Sequence, residues 1–185
     1  MAALNQAQLQ AASEFGTTAM RAFDQGGTFP AETVIGSVAR MAGSFLFRSF
    51  ELPLAGIQPG SVVLSEQANQ QGPRLIHILG GVLENIGVKL DSSRLAAGQQ
   101  MARGQKESFL ETQGILEARF VAIRDKHGLS DGEAAESLAV ATAVLIKNCA
   151  NLLDPHVGFG LAVYGFIEGS KTAPAVSGSI HGGSR

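Results

Sequence analysis

The segment from Ser130 to Gly169 constrains this chain more than any other part of it. Ser130 followed three residues later by Glu133 has the form of a capping box. The serine oxygen accepts an orphan backbone N–H at a helix start, and the glutamate reaches back to the serine N–H. Just upstream, Gly128 is suited to the left-handed conformation that closes a helix, with Leu129 folding back against it. One helix therefore ends near His127, and the next begins at Asp131 and is expected to run to about Leu152. Its polar residues Glu133, Glu136, Ser137, Lys147, Asn148 and Asn151 gather on one side at about 100° per residue, but Val140 and Val144 interrupt that side. Leu138, Ala141, Leu145 and Cys149 lie opposite. A helix polar at its ends and apolar all round in its middle is one enclosed by other helices or by a second subunit. The helix from Asp131 is expected to be central.

Asp154-Pro155 then supplies a fresh N-cap and a proline at the first helical position. On a helix, Gly158, Ala162, Gly165 and Gly169 fall on one stripe that admits a neighbouring backbone closely. A period of two competes with this: Val157, Phe159, Leu161 and Val163 alternate with Gly158, Gly160, Ala162 and Tyr164, as in a strand. Each glycine weakens a helix by up to about 1 kcal/mol relative to alanine. The cap favours the helix; a strand over 157–164 would find its natural partner in the β-prone run 61–64.

Upstream, residues 3–23 form a helix by their Ala and Gln content, and Asp24-Gln25-Gly26-Gly27 makes a turn. A second helix starts near Thr28 or Phe29 and continues to Phe50, with Val34, Val38, Met41 and Phe45 on one apolar face. Gly36, Ala39 and Gly43 form a neighbouring small-residue strip suited to close helix contact. Residues 51–60, with Pro53 and Pro59-Gly60, are a loop. Residues 65–72 read as a short helix ended by Gly72, and Pro73 opens another that Gly87 terminates. Asp91 or Ser92 caps a helical segment over 92–105, and a further helix covers 105–128. In that last helix Phe109, Leu116, Phe120 and Ile123 form the buried stripe, with Glu107, Glu111, Glu117 and Arg124 outside it.

The expected architecture is thus mainly α: one domain over 1–169 with about six helices in orthogonal or bundle-like packing, a possible minor two-stranded β element (61–64 with 157–164), and a flexible tail over 170–185. Charged residues are only 16% of the 185, and apolar residues are 45% before the 23 glycines are counted. So little charge leaves a face to be hidden in a homo-oligomer, or a surface made of Ser, Gln, Asn and Gly. A formal net charge of −2, with no block of Lys and Arg, argues against binding nucleic acid. The N-terminal stretch lacks the basic patch and apolar core of a signal peptide, and the longest uncharged apolar run falls short of a membrane span. A soluble, cytoplasmic protein is expected.

No motif carries chemistry. There is no HExxH, P-loop, GxSxG elbow or dinucleotide fingerprint, and a single cysteine, Cys149, precludes cysteine-based zinc sites. His77 and Glu84 can share a helix side, but zinc needs a third ligand that no spacing supplies. The acidic pair Glu107 and Glu111 lacks the Glu-x-x-His repeats of a di-iron bundle. Residues 125–133 are explained as a helix end plus a capping box rather than a calcium loop. No metal and no cofactor is expected, and no catalytic residue is assigned.

Two classes of function remain. One is a non-catalytic homo-oligomer, in the first instance a homodimer, serving as scaffold, adaptor or binder of a small molecule or protein. The other is an enzyme whose site assembles from separated helices, drawing on His77, His156, Arg40 or Arg48. The second requires those side chains to converge in a pocket. Tyr164, the single tyrosine, is a candidate to border one.

Overall fold

The computed structural model describes residues 4–91 and 108–175. Six helices make up this part: α1 (Gln6–Ala22), α2 (Ala31–Arg48), α3 (Glu66–Asn85), α4 (Phe109–Lys126), α5 (Asp131–Asn148) and α6 (Pro155–Ser170). They pack as a bundle with no sheet among the described residues. The helix expected over 92–105 lies outside them, as do Glu107 and residues 176–185.

Local chemistry sets most boundaries. At Ser130 the side-chain oxygen accepts the Glu133 N–H while the Glu133 carboxylate accepts the Ser130 N–H at 2.9 Å. The end of α4 is a Schellman motif: Gly128 sits at φ +62°, its N–H donates to Asp125 O, and the Leu129 N–H donates to Arg124 O. Gly87 closes α3 in the same way, with Val88 N–H donating to Leu83 O. Ser108 and Glu111 form a second capping box at α4, and Asn5 with Gln8 a third at α1.

The small-residue strips meet each other. Gly165 of α6 stands against Ala39 and the Gly36 carbonyl of α2, and Gly169 stands against Gly43 and the Arg40 carbonyl. A Cβ at Gly43 would come within 2.5 Å of the Phe166 carbonyl oxygen. Gly158, further up the stripe, faces Ile146 of α5 instead. The helical conformation is what turns these glycines towards their neighbours, so residues 157–164 are helix and not strand.

Several expectations need correction. The enclosed helix at the centre is α2, where every residue from Val34 to Phe47 is buried; α5 lies beside it, with Val140 covered but Val144 exposed. Small residues on several sides of α2 let neighbours approach from more than its apolar face. The α5 helix stops at Asn148, and turns at Cys149–Leu153 follow. Residues 66–85 are one helix rather than two, because Gly72 and Pro73 lie towards solvent, where the missing N–H of Pro73 costs least. Finally, residues 61–64 do not pair with 157–164. Val62 instead forms an isolated antiparallel bridge with Thr172, and Ala173 is buried. Residues 171–175, expected in the tail, are therefore packed onto the bundle.

The core runs through Phe15, Met41, Phe45, Leu79, Phe120 and Leu138, all fully enclosed. Phe15 and Phe120 tie α1 to α4 with ring centroids 4.9 Å apart. No described helix is long and apolar enough to cross a membrane.

Candidate functional site

The four side chains that an enzyme reading would draw on do not converge. Arg40, on α2, is 4% exposed and places its Nε 2.5 Å from Glu168 Oε2 of α6. Arg48, two turns on, pairs with Glu117 of α4 and lies over the Phe45 ring at 5.2 Å. Glu117, expected on the outer side of α4, is drawn in by this contact and by Gln113 Nε2, which donates to it. His77 is exposed on α3, as is Glu84.

His156, at the start of α6, is used up structurally. Its Nδ1 lies 2.7 Å from Asp154 Oδ1, and its Nε2 accepts the Asp91 backbone N–H at 3.0 Å. Accepting at Nε2 places the ring proton on Nδ1, where it donates to Asp154. The ring thus fastens the chain after α3 to the N-terminus of α6. Asp154 also caps the helix by accepting the His156 N–H.

Burial pushes the Cys149 thiol up, with the negative charge of Glu32 adding to the effect, which makes it a poor nucleophile. Glu111 and Glu133 serve their caps, and Asp131 pairs with Arg124. No group of three or more His, Cys, Asp or Glu side chains suited to a metal ion occurs among the described residues.

Two of the concavities among the described residues stand out. A cleft of about 420 Å³ lies where the end of α2 meets α3 and the start of α5, lined by charges of both signs that include Arg48, Arg74, Asp131 and Glu136. Most of these charges are engaged in ion pairs, one across the cleft and others with residues behind its wall. Arg74 reaches Glu136 at 2.5 Å, while Arg48 and Asp131 are held by Glu117 and Arg124. Glu51, also on its wall, is the one non-glycine described at positive φ (+51°), in the reversal after α2.

The second is a depression of about 490 Å³ between the start of α4, the end of α6 and the segment 60–64. Val62, Leu110 and Ile167 line it and are 72%, 40% and 47% exposed. Tyr164 borders it, and Glu168 and Lys171 lie at its edge. Leu64, two residues from Val62, is 80% exposed. Scattered surface apolar residues are ordinary, whereas these three gather around one hollow. The run 61–64 is recognisable in the sequence as β-prone; nothing in it reveals that Val62 and Leu64 face outward, or that Val62 does so beside Leu110 and Ile167.

No family model matches this chain, and no curated protein or solved structure is significantly similar to it.

Proposed function

We propose that this chain is a non-catalytic helical module of the cytoplasm that works by associating with itself, as a scaffold or adaptor. The observation that carries the reading is the apolar depression, where Val62, Leu110 and Ile167 stand exposed around one hollow in a chain with few charges. Covering such a surface with a second copy removes apolar area from water at roughly 25 cal/mol per Å². The placement of the ionisable candidates supports the same reading: Arg40, Arg48 and His156 each serve a different structural contact. Sedimentation equilibrium of the full chain over a wide concentration range tests it. The expected result is a monomer–dimer equilibrium; a strict monomer at micromolar concentration removes the reading.

A further inference from the structure

The short run Ser61–Val63 is held by a single antiparallel bridge on one edge only. The Ala173 N–H donates to Ser61 O at 2.9 Å, and the Val63 N–H donates to Lys171 O at 2.7 Å. Val62 stands opposite Thr172 between these bonds, so its own N–H and C=O point to the other edge. Neither Val62 nor Leu64 makes a backbone hydrogen bond to any described residue. The chain is still extended at Ser65 (φ −133°, ψ 149°), which keeps Val62 and Leu64 in phase along that outer edge. Natural edges are usually blunted by charge, proline or a bulge. Residues 60–64 carry no charge, and the nearest proline, Pro59, precedes them.

We propose that this open edge is where two copies of the chain join, by antiparallel pairing of residues 62–64 with themselves. The proposal rests on the self-association reading above and assigns it a surface and a register. A two-fold axis at Val63 sets Val62 of one copy opposite Leu64 of the other, and each such pair exchanges both of its N–H···O bonds. Adjacent residues alternate faces, so Val62 and Leu64 share the exposed face and cover one another across the seam. Val63 meets its own counterpart on the opposite face. The row so formed continues into the depression lined by Leu110 and Ile167. The occupant is a second copy because the edge is complementary to itself: its free backbone groups and its apolar side chains recur at the same spacing of two. With no charge in the segment, nothing repels when it meets itself.

Register-specific substitutions test this in the full chain. Leu64→Lys and Val62→Glu change exposed side chains whose removal leaves the bonds to Lys171 and Ala173 intact, and unaltered thermal melts would show that both variants fold. Each alone is expected to weaken dimerisation by tenfold or more in Kd, as expected when a buried apolar side chain at a seam is replaced by a charge. The double variant Val62→Glu/Leu64→Lys is expected to recover most of that loss, because the pairing sets the introduced carboxylate against the introduced ammonium. A dimer indifferent to both single substitutions overturns the edge proposal and leaves self-association standing. Single losses without recovery overturn the register. A wild-type chain that stays monomeric removes self-association itself, and the edge with it.

Discussion

Gly169 lies so close to Arg40 that a Cβ at position 169 would sit 2.1 Å from the Arg40 carbonyl oxygen. That distance, far inside van der Waals contact, makes the α2–α6 crossing dependent on glycine. Gly43 and Gly165 answer it from the two helices, each with neighbouring backbone or Cβ atoms within 3.0 Å of a would-be methyl. Close approach there encloses α2, since a thicker residue on either strip would push α6 away and open the Phe45 and Met41 region to water.

Gly169→Ala is therefore expected to cost about 3 kcal/mol, the upper end of overpacking penalties, because the opposing atoms are backbone and cannot swing aside. Gly114→Ala supplies the contrast. It sits within α4 with nothing inside 4 Å of a built Cβ, so the substitution is expected to stabilise by about 0.5–1 kcal/mol. Urea midpoints of the two variants, moving in opposite directions, check the claim; equal small shifts would show the crossing to be loose.

Three carboxyls set an acid limb of stability. Glu133 is held below its ordinary value of 4.5 mainly by the Ser130 backbone N–H, and Glu111 in the same way by Ser108. Glu14 is lowered by hydrogen bonds from Lys126 and then His127. A carboxyl depressed in the folded state contributes fully above its unfolded value and loses that contribution as pH falls through the folded value. Stability is expected to be flat in these groups above about pH 5 and to decline below about pH 4.5. Replacing all three by Gln should shrink the loss of urea midpoint between neutral pH and pH 3; an unchanged loss would assign the acid limb elsewhere.

The Arg40–Glu168 pair is asymmetric. The Arg40 side chain is 5% exposed, whereas Glu168 keeps 27% of its surface in solvent. Removing the carboxylate takes one partner from a cation deep in the α2–α6 contact, whereas removing the cation leaves a carboxylate that water reaches. Glu168→Ala is thus expected to cost about 3 kcal/mol and Arg40→Met about 1–2 kcal/mol. A double-mutant cycle by chemical denaturation reads the coupling, and equal costs would show the pair to be solvated alike at both ends.

Much of this architecture is legible in the chain. The Ser130–Glu133 cap, the Gly128 and Gly87 helix ends and the Asp154-Pro155 start all depend on residues within six positions of each other, and all are present. The two small-residue strips are legible as strips, although not as partners of one another. The structure departs from the sequence pattern where a distant segment intervenes. Helical periodicity puts Glu117 outside α4 because it cannot register Arg48, which is separated from it by 69 positions. Residues 61–64 meet 171–173 rather than 157–164, because the helix at 155 consumes the candidate partner. The exposed group of Val62, Leu110 and Ile167 joins three separate stretches, and each looks ordinary alone.

Caps, turns and periodicity act over one or two helical turns, so the chain alone is enough to place most of the described helices and many of their ends. Which helix is enclosed is another matter. The polar residues Ser37, Arg40 and Ser44 give α2 the look of a surface helix, yet all three are buried. Their burial depends on what faces them: Arg40 enters the interior because Glu168, 128 positions away, meets it there. A charge is tolerated in the core only beside an opposite charge, and that proximity exists only once α2 and α6 have closed on their glycines.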